Sequence, residues 1–228
     1  MKVGNNMISI ALDGPAGAGK STLAKAAAKK LGFIYVDTGA LYRAVGLKFS
    51  RLGHDTGLDC EIEPVLDNTS VDIRFIGEEQ HVFLDGEDVN SLIRTPEISM
   101  MASAVSAKPP VRAFLLELQR KLARENNVIM DGRDIGTVVL PDATVKLFVT
   151  ATPETRANRR YKELTEKGET VNYDDVLADI KTRDYNDSHR EVAPLKVADG
   201  GIVFDTDELD FEAALAALMV IIDKEVKN

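Results

Sequence analysis

The sequence predicts an α/β protein in which helices cover both faces of a parallel five-stranded sheet. Three observations predict this fold class. Short apolar runs rich in β-branched residues alternate with longer helical patterns, a glycine-rich loop joins the first run to the first helix, and such runs recur along the 228 residues. Strands that alternate with helices form parallel sheets with crossover helices. A chain of this length buries roughly 70–75% of its unfolded surface, so its core needs no metal or disulfide.

The first predicted elements precede residue 60. The run Met7–Leu12 indicates a buried strand. The Ala-, Lys- and Leu-rich segment Lys20–Leu31 favours a helix that Gly32 ends. Phe33–Val36 indicates a second strand, and Ala40–Leu52 has the apolar spacing of a second helix. This order of strand, loop, helix, strand and helix is typical of a parallel sheet.

The pattern then changes to one of antiparallel strands. Val71–Phe75 alternates with period two, and strands at His81–Leu84 and Glu87–Val89 follow turns at Gly77–Gln80 and Asp85–Gly86. A small antiparallel meander is therefore predicted as an insertion in the α/β protein. Two interpretations of it stay open at this stage: a decorative insertion, and a mobile element that covers the substrate.

Alternation of helices and strands resumes after the meander. Helical patterns cover Pro96–Ser106, Pro109–Glu125, Pro153–Lys167, Tyr173–His189 and Leu209–Glu225. Short strands are predicted at Val128–Met130, Val145–Val149 and Ile202–Phe204. With the first two, these strands complete a five-stranded, doubly wound sheet.

Composition excludes several classes of function. The net charge of −9 argues against general binding to nucleic acid or anionic membranes, although a local arginine cluster can still hold an anionic small substrate. No run of 18 apolar residues predicts a membrane span, and the N-terminus lacks the apolar core and cleavage site of a signal peptide. Cys60 is the only cysteine, so no intrachain disulfide forms and a cytoplasmic location is expected.

The glycine-rich loop carries the strongest chemical signal. Residues 14–21 fit G-x-x-x-x-G-K-[ST] between a predicted strand and a predicted helix. Glycines let backbone N–H groups turn inward around phosphate oxygens, Lys20 neutralises β/γ charge, and the Ser21 hydroxyl ligates Mg²⁺. The alternative is a glycine-rich turn that only caps a helix. The loop predicts nucleoside triphosphate binding but does not say where the γ-phosphate goes.

Carboxylates follow two of the predicted strands. Asp131 comes directly after a strand, where a phosphate-loop fold places an acidic residue near the metal; the alternative is an ordinary turn residue. Asp37 ends the second strand and points at the same crevice, toward metal-bound water or the acceptor. Arg133 lies between Asp131 and Asp134 in the DGRD segment, an awkward place for a purely surface charge.

Two charge-rich helices supply further arginines. The first contains Arg156, Arg159 and Arg160, which are suited to closing over transferring phosphates; the alternative is a solvated helix. In the second, Arg183, Asp187 and Arg190 share one face at i, i+4 and i+7. That face predicts either a site for a phosphorylated ligand or a self-satisfied ladder of salt bridges.

The chain resembles bacterial cytidylate kinases in five blocks along its whole length. These blocks are GPAGAGKST (14–22), DTGALYR (37–43), GEDVNSLIRTPEIS (86–99), DGRDIGTVVLPDA (131–143) and RDYNDSHREVAPL (183–195). The resemblance implies the P-loop nucleoside monophosphate kinase fold and transfer of phosphate from ATP to CMP or dCMP with Mg²⁺. It implies a core of residues 1–60, 108–152 and 190–228, a monophosphate-binding insertion at 61–107, and a lid with its adjoining helix at 153–189. A monomer without nucleic-acid or membrane partners is expected.

The resemblance also assigns individual residues. ATP would bind at Gly14, Pro15, Ala16, Gly17, Ala18, Gly19, Lys20, Ser21 and Thr22. The acceptor side would comprise Thr38, Arg43, Ser103, Arg112, Arg133, Asp134, Arg183, Asp187 and Arg190. The predicted catalytic residues are Lys20, Arg133, Arg156, Arg159 and Arg160, and the predicted metal residues are Ser21, Asp131 and Asp37. Many family members have Ser where Thr38 stands, and Thr retains the hydroxyl.

Within that acceptor side, the resemblance gives each residue a role. Arg43 and Arg133 would hold the monophosphate, Arg183 and Asp187 would face the sugar, and Arg190 the region between base and phosphate. The base pocket would contain Ser103, Arg112 and Asp134. Cytosine offers an amino donor at N4 and acceptors at N3 and O2, which a carboxylate and a guanidinium complement. Uracil would instead set its O4 acceptor against Asp134.

Three other functions remain as alternatives. Another P-loop small-molecule kinase, acting on shikimate or dephospho-coenzyme A, shares the loop but is disfavoured by the DGRD segment and the insertion. A GTPase switch would carry an N-K-x-D motif, which this chain lacks. A non-catalytic nucleotide-binding module would bind ATP without turnover.

Overall fold

The central sheet has five parallel strands, as predicted. The computed structural model describes residues 7–58, 60–77 and 79–227, and all that follows concerns these ranges. The strands are β1 (Ser9–Asp13), β2 (Ile34–Asp37), β3 (Val71–Ile76), β4 (Glu79–Leu84), β5 (Glu87–Asp88), β6 (Val128–Gly132), β7 (Val145–Thr150) and β8 (Ile202–Asp205). The order in the main sheet is β2-β6-β1-β7-β8. Each of these five strands lies within two residues of its predicted bounds.

Helices cover both faces of this sheet. They are α1 (Lys20–Leu31), α2 (Thr38–Arg51), α3 (Glu63–Asp67), α4 (Pro96–Ser106), α5 (Pro109–Glu125), α6 (Pro153–Glu166), α7 (Tyr173–His189) and α8 (Phe211–Lys227). One apolar cluster joins α1 and α8 to Ile10 and Leu12 of β1. The opposite cluster joins α2 and α5 to Ala11. Alternate residues of β1 therefore enter opposite cores, which confirms the doubly wound arrangement.

Local sequence signals fix where several helices begin and end. Thr95 accepts a hydrogen bond from the backbone N–H of Ile98 at 3.2 Å and precedes a proline at the first helical position of α4. Thr152 caps α6 in the same way. Gly32 ends α1 in the left-handed conformation, with φ of 68°. These caps explain why the sequence predicts the starts of α4 and α6 and the end of α1 to the residue.

The predicted meander forms a three-stranded antiparallel sheet in the order β3-β4-β5. Its apolar face is not separate from the rest of the fold. Val82 and Leu84 of β4 are buried in the same cluster as the side chains of α2 and α5. The insertion is therefore docked on the core by its own strands. Glu78, in the predicted turn before β4, lies outside the described residues.

Helices α6 and α7 pack around a small apolar cluster of their own. It consists of Ala157, Leu164, Val176 and Ile180, with partly buried neighbours, and is distinct from the two large clusters. Two elements were not predicted: α3, and a π-helical turn at Ile135–Val139 after β6. In the described part of the chain, no helix has the length and apolar character needed to cross a membrane.

Candidate active site

A crevice of about 730 Å³ opens at the carboxyl ends of β1, β2 and β6. All of the predicted site residues line it except Gly14, Pro15, Ala18 and Arg156. Ten lysine and arginine side chains face five aspartates and glutamates there, although the whole chain is acidic. This local excess of positive charge suits an anionic ligand.

The phosphate loop connects β1 to α1 and depends on its first glycine. Gly14 has φ of 144°, and a Cβ there would lie 2.0 Å from the carbonyl oxygen of Val149. No other residue fits. The α1 N-terminus has no side-chain cap and no acid in its first turn, so its N–H groups are available to a phosphate. Lys20 is buried beside them, and its Nζ donates to the carbonyl of Pro15 at 2.7 Å.

Lys20 and Asp131 carry opposite charges, and both side chains are buried beside the phosphate loop. Burial lowers the pKa of Lys20, and nearby Arg133 lowers it further. Burial raises the pKa of the Asp131 carboxyl, with Asp37 adding to the effect. The phosphates of a bound nucleotide would bring negative charge to Lys20 and raise its pKa again. The loop therefore suits a ligand whose negative charge stabilises the charged ammonium of Lys20.

Ser21 and Asp131 fit the Mg²⁺ that the loop motif implies. The Ser21 hydroxyl donates to Asp131 Oδ2 at 2.5 Å, and the Tyr35 hydroxyl donates to Asp131 Oδ1 at 3.1 Å. Mg²⁺ commonly takes one or two protein oxygens and fills its other positions with water and substrate phosphates. Among the described residues, no group of three or more acidic, His or Cys side chains offers a complete protein cage.

Asp37, the third predicted metal residue, has protein partners. Its Oδ1 accepts from the backbone N–H of Ala40 at 3.0 Å, which caps α2, and its Oδ2 accepts from Arg43 Nη2 at 2.8 Å. The structure therefore brings Asp37 to the crevice but engages its carboxylate with Arg43. Arg43 Nε is buried and has no hydrogen-bond partner among the described residues, so part of the donor capacity of this guanidinium is unused.

Arg133 and Thr38 border the same part of the crevice. Arg133 Nε donates to Asp187 Oδ2 at 2.7 Å, which anchors the DGRD segment to α7. The Thr38 hydroxyl donates to the carbonyl oxygen of Asp131 at 2.7 Å and joins α2 to β6. Each predicted monophosphate-binding arginine is thus held by an aspartate, one at the end of β2 and the other on α7.

The predicted base pocket is centred on a buried carboxylate. Asp134 is 4% exposed, and Arg112 Nη2 donates to its Oδ2. Arg190 Nη2 donates to its Oδ1 at 3.3 Å. The Tyr42 ring lies 5.6 Å from the Arg112 guanidinium carbon, and Ser103 faces the same crevice. A carboxylate has about four lone-pair positions, so Asp134 can accept a further donor.

The face that carries Arg183, Asp187 and Arg190 is not a self-satisfied ladder. Asp187 pairs with Arg133, and Arg190 with Asp134, each across to another segment. In the described part of the chain, no hydrogen bond or ion pair is made by the exposed side chain of Arg183, which lines the crevice.

The three arginines of α6 differ in their surroundings. Arg156 is 2% exposed and forms a two-point pair with Asp184 of α7 at 2.9 and 2.6 Å. It also donates to the carbonyl oxygens of Ala16 and Ala151. Its donors are turned away from the crevice, so in this conformation it anchors the start of α6 to the phosphate loop rather than reaching the phosphates.

Arg159 and Arg160 do line the crevice. Arg159 donates to the Thr206 hydroxyl at 3.1 Å and to its carbonyl oxygen at 2.5 Å. Arg160 pairs with Glu163 at 2.8 Å and is 45% exposed. Surface pairs of this kind contribute little free energy, so Arg160 is free to exchange partners.

Sequence reasoning did not single out Tyr35, Lys25 or Arg94, which also line the crevice. Tyr35 precedes Asp37 by two residues on the same strand, which places both on one face. Lys25 lies 5.6 Å above the Tyr35 ring. Arg94, at 3.7 Å from Asp37, lies within the block 86–99 that carries the family resemblance.

Asp13 ties the end of β1 to the π-helical turn. Its two oxygens accept from the backbone N–H groups of Ile135 and Gly136, each at 2.7 Å. Burial raises the pKa of this carboxyl to about 6 despite these bonds. The phosphate loop and the segment that follows Asp134 are therefore held together by one side chain.

We expect Asp13→Asn to lower the free energy of unfolding by about 1–3 kcal/mol, because the amide turns a donor toward one buried N–H. Chemical denaturation at pH 7 measures this, with Asp179→Asn on the exposed face of α7 as the control. A loss no larger than that of the control would show that Asp13 does not hold the turn.

Comparisons with known proteins agree with a site that binds phosphorylated ligands. A family model described as cytidylate kinase matches residues 10–224. A cytidylate kinase of Caldicellulosiruptor saccharolyticus is 52% identical over 97% of this chain and 98% of its own length. One of Lactobacillus johnsonii is 46% identical over 98% and 97%. A solved structure of an uncharacterized protein from Eubacterium ventriosum shares the fold, with a TM-score of 0.53 at 14% identity over 95% of this chain and 99% of its own.

Proposed function

This chain belongs to the cytidylate kinase family, and we propose that its crevice transfers the γ-phosphate of ATP to CMP or dCMP. The observation that carries the proposal is one continuous cavity with two differently equipped ends. One end is the phosphate loop with Lys20. The other is the buried carboxylate of Asp134 between Arg112 and Arg190. The first suits a triphosphate and the second a base with an amino donor beside ring acceptors.

The donor side binds the ATP phosphates through main chain and charge. The N–H groups of the loop and of the first turn of α1 surround the phosphates, and Lys20 leaves the Pro15 carbonyl to meet the β- and γ-oxygens. Ser21 and Asp131 would hold Mg²⁺. When bound, Mg²⁺ neutralises charge on the β- and γ-phosphates.

The acceptor side presents the CMP phosphate to the γ-phosphorus. Arg43 and Arg133, which both line the crevice, bind the CMP phosphate. An oxygen of that phosphate attacks the γ-phosphorus in line, a P–O bond forms, and the bond to the β-phosphate oxygen of ATP breaks. ADP leaves with that electron pair, and CDP is formed. Positioning and charge stabilisation by Lys20 and the arginines supply the catalysis, with no covalent intermediate on the protein.

Residues 153–189 serve as a lid and its adjoining helix under this proposal. Their separate apolar cluster lets α6 and α7 move as a unit. We expect the pivot at the start of α6, where Arg156 donates to the carbonyl oxygens of Ala151 and of Ala16 in the loop. Closure brings Arg159 and Arg160 over the phosphates and excludes water.

We expect amide hydrogen exchange at residues 160–172 to slow when ATP and CMP bind together, because closure orders a segment with few apolar contacts. Mass spectrometry of the exchanged protein measures this. Exchange in α8 serves as the control, since that helix packs in the main core. Equal exchange at 160–172 with and without both nucleotides, at saturation, would contradict closure at this segment.

We propose that the enzyme acts as a monomer, because the chemistry described above uses no residue beyond those of one crevice. The lone, partly buried Cys60 suits the reducing cytoplasm, where we place the enzyme.

The test of the proposed function is ADP release with a panel of acceptors. We expect turnover with CMP and dCMP to exceed that with UMP, AMP, GMP, shikimate and dephospho-coenzyme A. Preference for shikimate or dephospho-coenzyme A would favour another P-loop kinase, and ATP binding without any turnover would favour a nucleotide-binding module.

A further inference from the structure

Gln80 of the insertion makes a two-point contact with the end of β2. Its Oε1 accepts from the backbone N–H of Asp37 at 2.8 Å, and its Nε2 donates to the backbone carbonyl of the same residue at 3.2 Å. β2 is the edge strand of the main sheet, so its outer side has no strand neighbour. A side-chain amide here pairs with one residue of the strand as a neighbouring strand would.

The residue that Gln80 fixes also carries the acceptor-side arginine. The Asp37 carboxylate accepts from Arg43 Nη2 at 2.8 Å and from the N–H of Ala40 at 3.0 Å. A shift of the Asp37 main chain would therefore move the carboxylate, and with it the Arg43 guanidinium. The Arg43 side chain is only 21% exposed, and its Nε has no partner among the described residues, so its bond to the Asp37 carboxylate sets its direction.

Gln80 is itself held in place. Asn90 donates from its side chain to the Gln80 carbonyl at 3.1 Å, and the following strand residues Val82 and Leu84 are buried in the core. The insertion thus holds the Gln80 amide against the main chain of Asp37, and the Asp37 carboxylate in turn binds Arg43.

We propose that Gln80 is a positioning residue for the acceptor phosphate, acting through the Asp37 main chain and the Arg43 guanidinium. The proposal rests on the function proposed above. It gives the meander a role that the sequence pattern left open: the insertion aligns the phosphate-binding arginine through Gln80.

Two variants of Gln80 and one control test the proposal. Gln80→Ala removes both hydrogen bonds. Gln80→Glu keeps the shape but sets an oxygen against the Asp37 carbonyl. We expect both to lower kcat/KM for CMP about tenfold, the effect of one or two hydrogen bonds, with the KM for ATP changed less than about twofold. Glu79→Ala, an exposed neighbour on β4, should leave both values unchanged. If folded Gln80 variants lose kcat/KM for CMP and for ATP by the same factor, the proposal is overturned.

A double-mutant cycle with Arg43→Ala separates positioning from general weakening of the fold. If Gln80 acts through Arg43, Gln80→Ala changes kcat/KM for CMP less than about twofold once Arg43 is absent. A full tenfold loss in that background would also overturn the proposal. The cycle also tests the acceptor site and the role of Gln80 separately. An Arg43→Ala variant with wild-type CMP kinetics contradicts the proposed acceptor site. An impaired Arg43→Ala variant beside an unimpaired Gln80→Glu variant contradicts only the role of Gln80.

Discussion

Replacing Lys20 with alanine will lower kcat by about 10³-fold or more while the protein stays folded. A charge contact to the transferring phosphoryl group acts mainly on the transition state, and contacts of this kind have effects of that size. We expect the fold to tolerate the change, because burial disfavours the charged ammonium and lowers its pKa, and because Nζ donates to the loop carbonyl of Pro15.

The measurement is steady-state turnover at saturating ATP and CMP, with circular dichroism to establish folding. Lys30→Ala, on the exposed end of the same helix, is the matched control and should retain wild-type turnover. A folded Lys20→Ala variant with more than about a tenth of wild-type kcat would refute the role of the loop in phosphoryl transfer.

Asp134→Asn will lower kcat/KM for CMP about 10- to 100-fold. It will also lower the ratio of kcat/KM for CMP to kcat/KM for UMP. The variant removes an acceptor for the cytosine amino group and leaves Arg112 and Arg190 without their shared negative charge. An unpaired buried polar group costs about 1–3 kcal/mol, which gives this range. The new amide offers a donor to uracil O4, so UMP loses less than CMP.

The ratio of the two efficiencies distinguishes base recognition from a purely supporting role. If Asp134 only orients Arg112 and Arg190, CMP and UMP lose efficiency by the same factor, and an unchanged ratio would contradict base recognition. The KM for ATP should stay near its wild-type value, because the loop lies at the other end of the crevice. Asp142→Asn, at an exposed position, controls for the loss of one carboxylate.

Local signals carried most of the fold prediction. The α1, α4, α5 and α7 bounds were predicted to the residue because a proline, a cap or a clear periodic pattern marks their ends. The strand ends that hold Asp37 and Asp131 followed from apolar runs of the right length. Since parallel strands end at one edge, these positions also predicted the location of the crevice.

The features that the sequence pattern did not predict depend on contacts between residues far apart in the sequence. The π-helical turn at Ile135–Val139 depends on hydrogen bonds to Asp13, more than a hundred residues earlier, and no local periodicity announces it. Arg156 looked equivalent to Arg159 and Arg160 on one helix. Its pair with Asp184 and its bond to Ala16 arise only when α6 packs on α7 and the loop. The two-point contact of Gln80 with Asp37 is likewise tertiary, since neither residue alone signals it.

Transfer of the terminal phosphate itself is the most direct measurement of the central claim. With ATP labelled at the γ-phosphate and unlabelled CMP, we expect the label to appear in the β-phosphate of CDP, one CDP for each ADP formed. Label released as inorganic phosphate, or retained in ATP while CMP is present in excess, would contradict the assignment of this crevice to nucleoside monophosphate phosphorylation.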